Sequence, residues 1–332
     1  MKIVIDSGIP FIKGVFEPFA EVLYAKGETI NHNMVADADA LVVRTRTRCD
    51  AALLEGSNIR LVVTATIGTD HIDLNYCHSR GIAVENAAGC NARGVLQWVA
   101  AVLAHILTAR NSRPEDITLG IVGVGNVGSI VLEYAQAWGF RTICCDPPRE
   151  EREHLGFSPI DELFSKADIV TLHTPLAPDT FHIVNDRLLA SWRGTDKILI
   201  NASRGEVVDT EALLRSGVDC AIDVWEHEPN IDRTLLERAF ISTPHIAGYS
   251  LQGKANATSM AVAAVARHFS LPIKDWYPAE VKPSTPQPIS WEELCRTIHS
   301  RYDIAAESQV LKRNPEQFEQ LRNSYNYREE HF

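Results

Sequence analysis

Short apolar runs separated by mixed segments of helical length dominate the first ninety residues. KIVID (2–6), ALVVRT (40–45), RLVVTAT (60–66) and IAVEN (82–86) lack period-2 alternation, which predicts strands buried on both faces of a parallel sheet. The segments between them complete a series of βαβ units. Residues 91–110 read as one apolar helix with Asn91 at its N-cap, ended by NSRPED (111–116). A second series follows: ITLGIVGVG (117–125), RTICCD (141–146), ADIVTLHT (167–174), KILINAS (197–203), VDCAIDVW (218–225) and FISTPH (240–245). Helices are predicted over 126–138 and over 250–270, the latter capped by Ser250. Pro272, Pro278, Pro283, Pro286 and Pro288 then predict an extended arm. Ser290-x-x-Glu293 is a capping box opening a charged tail, and Asn314-Pro315 starts a last helix.

Composition narrows the classes. The 332 residues are 45% hydrophobic and 23% charged, enough to build a core and too apolar for a largely disordered chain. A net charge of −11 opposes nonspecific binding to nucleic acid or an anionic membrane, so an anionic ligand needs a local basic cluster. The longest apolar candidate, 95–109, contains Gln97 and His105 and falls short of the roughly 20 residues a membrane span needs. MKIVIDSGIP reads as a buried strand and not as a secretory signal. Seven cysteines without C-x-x-C or zinc spacing predict reduced thiols in a cytoplasm.

The first chemical signal is G-x-G-x-x-G at Gly123, Gly125 and Gly128, after an apolar strand and opening a helix. Glycines there permit the tight turn and close approach of a pyrophosphate, and the helix N-terminus supplies amide donors. Such a turn can also serve only to pack helix on strand. Asp146, eighteen residues after Gly128 at the next strand's end, favours the dinucleotide, because its carboxylate accepts ribose hydroxyls and repels the extra phosphate of NADP. Arg149 nearby works against that preference.

Hydride transfer from a secondary alcohol needs a base near neutrality and a cation to hold the substrate, and a guanidinium can bind a carboxylate in two parallel hydrogen bonds. Arg204, Glu226, Glu228 and His245 stand at successive late strand ends, where open α/β sheets place their sites. Each alone reads as structural. Together they form an Arg/Glu/His set, in which residue type alone does not choose between Glu226 and Glu228. Arg44, Arg46 and Arg48 are spaced two apart, so an extended conformation puts them on one face as a phosphate or carboxylate site. The competing reading pairs them with Asp37, Asp39 and Asp50. TIGTDHID (66–73) reads as a turn with Asp70 capping a helix, and no metal is expected.

GIVGVGNVGS, HTPL (173–176), NASRGEVVD (201–209), DVWEHEP (223–229) and TPHIAGYS (243–250) occur in the order found in the D-isomer-specific 2-hydroxyacid dehydrogenases, and the chain resembles that family. KIVIDSGIPF, ADADALVVRTRT, TATIGTDHID, AGCNA, CDPPR, PHIAGYSLQGKA and the tail after 271 extend the resemblance over nearly the whole chain. They point to a branch acting on a phosphorylated 2-hydroxy acid. Ala88 stands where that branch usually has Pro. The resemblance implies an α/β fold with two doubly wound parallel-sheet domains, a flavodoxin-like substrate lobe and a Rossmann NAD lobe, plus a small C-terminal association domain. The boundaries it implies are 1–91 with 250–271 for the substrate lobe, 92–249 for the NAD lobe and 272–332 for a shortened dimerisation domain. It makes Arg204, Glu228 and His245 catalytic, and returns Glu226 and His227 to structural or solvent roles. Gly123, Gly125, Asn126, Val127, Gly128, Asp146, Thr174, Ser203, Asp223 and Gly248 take NAD. Arg44, Thr45, Arg46, Thr66 and Tyr249 take the substrate. A homodimer is implied. Two rivals share the motifs: a sister enzyme for 3-phosphoglycerate or glyoxylate, and a nonenzymatic NAD-sensing scaffold.

Overall fold

A computed structural model of residues 1–332 describes every residue except Arg193 and Thr195. The chain divides into two compact units, Met1–Asn91 with Ser250–Ser284, and Ala92–Tyr249 with Thr285–Phe332.

The first unit holds five parallel strands: β1 (Lys2–Asp6), β2 (Glu21–Ala25), β3 (Ala40–Val43), β4 (Leu61–Thr64) and β5 (Ala83–Asn86). Their order is β2-β1-β3-β4-β5, the flavodoxin-like arrangement. β1, β3 and β4 are almost fully buried, as uninterrupted Val/Ile/Leu runs require in a sheet covered on both faces. β2, an edge strand reading EVLYA, is only half-buried, so its apolar signal is weak. The helix Leu251–His268 covers one face, packing Ala261, Val262 and Val265 into the cluster of Ile3, Ile5, Val42 and Val63. Ser250 caps it by accepting from Gly253 N–H.

The second unit holds β6 (Thr118–Val122), β7 (Arg141–Cys145), β8 (Ile169–Leu172), β9 (Ile198–Asn201), β10 (Asp219–Ile222) and β11 (Ile241–Ser242). All are parallel, in the order β11-β10-β9-β8-β6-β7. The order reverses at β6, whose neighbours are β7 and β8, so the C-terminal ends of β6 and β8 flank a topological switch point. Alternate residues feed two cores. Leu119, Ile121, Ile169 and Ile200 face the helix Ala92–Arg110; Val122, Val170, Leu172 and Leu199 face Leu163, Phe164 and Trp192. Among the described residues Ala92–Arg110 is the one helix long and apolar enough to cross a membrane, and most of it lies inside this core.

Three local expectations are corrected. The strand at 40–45 ends at Val43, and Thr45–Thr47 form a turn, so Arg44, Arg46 and Arg48 do not share a strand face. The helix after TIGTDHID is capped by Asp73, which accepts from Tyr76 N–H; Asp70 lies three residues too early. Asn91 does not cap the helix Ala92–Arg110, because its Oδ1 is buried without a hydrogen-bond partner.

The tail expected as a separate association domain is not a unit of its own. Residues 272–284 belong to the first unit and 285–332 to the second. The reason is an edge. β11 is a two-residue strand at the rim of the sheet, and the helix Ile304–Arg313 packs against it, with Ser308 Oγ accepting from Ser242 N–H at 3.0 Å. Leu294, Ile298 and Ile304 enter one core while Leu311 and Phe318 enter the other, so the tail wraps an otherwise open sheet edge. Ser290 does cap its first helix, accepting from Glu293 N–H.

Candidate active site

The glycine loop leaves β6 at Gly123, whose φ of +84° suits glycine, and whose Cβ would sit 2.7 Å from the His173 carbonyl. A Cβ on Gly128 would lie 1.9 Å from Gly123 O, so the helix Asn126–Ala137 packs backbone to backbone on the loop. Gly125 is the opposite case: a Cβ there meets nothing within 4 Å, so its space faces outward. Open space above Gly125, at a helix N-terminus that no side chain caps, suits the approach of a pyrophosphate. Thr174, after β8, has a buried Oγ1 with no hydrogen-bond partner and a methyl against the Gly123 position. A buried hydroxyl left unpaired costs about 1–3 kcal/mol, which a polar group of a bound cofactor would offset. The residues therefore fit NAD, which brings the hydride acceptor when bound.

Asp146 ends β7 and is drawn into the loop. Its Oδ2 accepts from Val124 N–H at 2.7 Å and its Oδ1 caps the helix Pro147–Glu153 through Arg149 N–H. Arg149, expected to oppose NAD selectivity, is occupied: Nη1 donates to Val124 O at 2.7 Å and Nε to Glu153 at 2.9 Å.

On β9 the buried Asn201 organises the next turn. Its Oδ1 accepts from Ser203 N–H and Oγ, and its Nδ2 donates to Arg204 O at 2.9 Å. Arg204 then emerges half-buried, with Nη1 on the Ser203 carbonyl. Gly205 lets this turn lie directly on the backbone of Trp225 and Glu226, which a Cβ would meet at 2.1–2.4 Å.

Geometry separates the two acids of E-H-E-P. Glu228 Oε2 lies 2.8 Å from His245 Nδ1, and its Oε1 accepts from Trp225 N–H at 3.0 Å. Glu226 instead faces His182 Nε2 at 2.6 Å and accepts from Thr210 N–H, part of a clip joining residues 182–184 to 206–209. Burial pushes the Glu228 carboxyl up, but His245, Trp225 N–H and Arg322 outweigh it and hold the group below the usual carboxylate range. Glu228 thus engages His245 through Nδ1 rather than Nε2. His173 Nε2 lies 3.0 Å from Thr171 Oγ1, and burial pushes the ring's pKa down to about 3.

His245 itself sits at φ +57°, in the left-handed region that few residues other than glycine adopt. Asp223 stabilises it. This buried carboxylate accepts from Thr243 Oγ1 (2.6 Å), Ile246 N–H (2.8 Å) and Ala247 N–H (3.0 Å), while Asp223 O receives His245 N–H. Asp223, expected on the cofactor side, thus holds the loop that carries His245, Gly248 and Tyr249.

In the first unit the anion candidates are rearranged. Arg48 pairs with Asp50, and Asp37 and Asp39 pair with Lys2 and Arg60. Arg44 Nε pairs with the buried Asp6 at 3.0 Å, a partner the sequence reading missed although it ends KIVID. Asp6 Oδ1 also accepts from Gly8 N–H, and the Arg44 guanidinium lies where a Gly8 Cβ would be. Thr45 and Arg46 are exposed beside it. Thr66 Oγ1 shares a 2.6 Å hydrogen bond with Thr64 Oγ1.

The family model for the D-isomer specific 2-hydroxyacid dehydrogenase, NAD binding domain, matches residues 92–247. An erythronate-4-phosphate dehydrogenase from Bacteroides thetaiotaomicron is 43% identical, covering 99% of this chain and 97% of its own length. One from Yersinia enterocolitica is 38% identical, covering 99% and 93%. Among solved structures, a cofactor (NAD+) bound 3-phosphoglycerate dehydrogenase from Entamoeba histolytica aligns with TM-score 0.69 at 26% identity, over 81% of this chain and 95% of that one. A D-lactate dehydrogenase from Aquifex aeolicus, complexed with NAD and lactic acid, aligns with TM-score 0.66 at 24% identity, over 86% and 100%.

Proposed function

The chain belongs to the D-isomer specific 2-hydroxyacid dehydrogenase family and is an NAD-dependent oxidoreductase, and from that premise we propose that it oxidises 4-phospho-D-erythronate at C2. The product is (R)-3-hydroxy-2-oxo-4-phosphooxybutanoate, a step of pyridoxal 5'-phosphate biosynthesis. The observation that carries the substrate assignment is the near full-length similarity to erythronate-4-phosphate dehydrogenases, reaching the first unit and the tail as well as the NAD domain.

The chain's own residues divide the work. Arg204 holds the substrate carboxylate, which a guanidinium binds in two parallel hydrogen bonds. His245 Nε2 takes the C2 hydroxyl proton as the C2–H bond breaks, the hydride acceptor being what NAD would supply when bound. Glu228 fixes the ring through Nδ1 and stabilises the imidazolium that forms. Arg44, braced by Asp6, holds the 4-phosphate with Thr45, Arg46 and Thr66. Tyr249 contacts the substrate. Thr174, Gly248 and Ser203 line the NAD side, with Asp146 selecting NAD over NADP. The reading includes a homodimer working in the cytoplasm, where NAD is supplied and the seven thiols stay reduced.

Arg44→Gln tests the phosphate end. It is expected to raise KM for 4-phospho-D-erythronate by about 10- to 100-fold, the weight of one charge-assisted phosphate contact of about 1.5–3 kcal/mol. Turnover of an unphosphorylated D-2-hydroxy acid should change less than twofold. Equal losses on both substrates would remove Arg44 from phosphate recognition.

A further inference from the structure

The tail brings a second cation to the acid that holds His245. The helix Phe318–Asn323 presents Arg322, whose Nη1 lies 3.5 Å from Glu228 Oε2 and whose Nε donates to Tyr249 Oη at 3.2 Å. Oε2 is the same oxygen that faces His245 Nδ1. We propose that Arg322 is a positioning residue for hydride transfer: it shares Glu228 with His245, sets how strongly that carboxylate favours the imidazolium, and fixes the Tyr249 hydroxyl. This rests on the reading of His245 as the base.

The attachment of the tail supports a built arrangement. Arg328 is buried and donates to the carbonyls of Gly94 (2.8 Å), Ile246 (3.0 Å), Tyr249 (3.3 Å) and Ala247, so the loop after His245 is stitched to the tail six residues beyond Arg322. Tyr325 continues the network to Glu307 at 2.7 Å, and the Tyr249 ring packs edge-on against Tyr325 and Tyr327. Arg322 and Glu228 are each about one-fifth exposed, so their attraction is only partly screened by water.

A carboxylate shared with a guanidinium pulls less on a proton at His245 than one serving the imidazole alone. Removing Arg322 leaves Glu228 wholly to His245, so His245 is protonated at higher pH. Alcohol oxidation needs the neutral ring, and reduction of the 2-oxo acid needs the charged one. The other charged or titratable groups around the pair, Asp223, Tyr249, Tyr302, Glu307, Tyr325 and Arg328, stay in place in the variant and cancel in the comparison.

The test is the pH dependence of kcat/KM in both directions for the full-length wild type, Arg322→Met and Arg322→Lys, with melting temperature and NAD affinity measured alongside. In Arg322→Met the acid limb of oxidation and the alkaline limb of reduction should both move to higher pH. Oxidation should fall about threefold or more at the acid end, relative to its loss at alkaline pH. Arg322→Lys, which restores the charge, should move both limbs back toward wild type. A rate lowered equally at every pH in both variants would overturn the proposal and leave the tail a purely structural element. Unmoved limbs at full activity would overturn it too. A wild type with no acid limb in oxidation, or with activity surviving His245→Gln, would instead overturn the reading of His245 as base.

Discussion

His245→Gln should lower kcat/KM for alcohol oxidation by about 10³-fold while leaving fold and NAD affinity intact. General-base catalysis by a placed imidazole is worth about 10²–10⁴. Two features place this residue well inside that range. Its ring is oriented by Glu228 at 2.8 Å, and the backbone beneath it is held in a left-handed conformation by Asp223. Such conformations cost about 1–3 kcal/mol and persist where the surroundings enforce them. Glutamine can donate to Glu228 as imidazole does but cannot take a proton, so the loss reports the chemistry and not the pairing. Steady-state kinetics with NAD titration checks it. Loss of less than tenfold would place the base elsewhere.

Gly205→Ala should lower stability by about 3 kcal/mol or more, or about 4 °C in melting temperature for a chain of this size. The added methyl would meet the Trp225 carbonyl carbon at 2.1 Å and the Glu226 nitrogen at 2.4 Å, both backbone atoms with no rotamer to yield. The turn carrying Arg204 must then move away from the segment carrying Glu226 and Glu228. Activity should fall along with stability, through KM as Arg204 is displaced. Calorimetry decides it: a melting temperature within about 2 °C of wild type would show that the two segments separate freely.

How much of this was legible in the sequence depends on how local the cause is. The buried strands β1, β3, β4 and β6 were visible because a strand covered on both faces must be apolar throughout. β2 was not, being a half-exposed edge strand. The Gly123–Gly128 loop and the positions of Arg204, Glu228 and His245 beyond strand ends were readable because each sits beside its own motif; the roles proposed for them come from the family blocks. The choice of Glu228 over Glu226 came only with the family blocks; in the structure Trp225 N–H and His245 converge on Glu228, and Thr210 N–H and His182 on Glu226. Asn201 and Asp6 were overlooked because a polar residue closing an apolar run also reads as the strand simply ending. Arg322 and Arg328 left no signal at all. They stand in a charged helical tail like any solvated residue, and only the wrapping of that tail around the β11 edge brings them to Glu228 and the His245 loop. The same wrapping explains why a tail that reads as a separate domain belongs to the NAD-binding unit from residue 285 onward.

The central claim is an NAD-dependent dehydrogenase selective for a phosphorylated four-carbon D-2-hydroxy acid. The most direct test is NAD reduction by the purified protein, with 4-phospho-D-erythronate, 3-phosphoglycerate and D-lactate compared at equal concentration. The account predicts that kcat/KM for 4-phospho-D-erythronate exceeds each of the others by at least about 100-fold. Turnover of 3-phosphoglycerate or D-lactate at an equal or greater rate would contradict it.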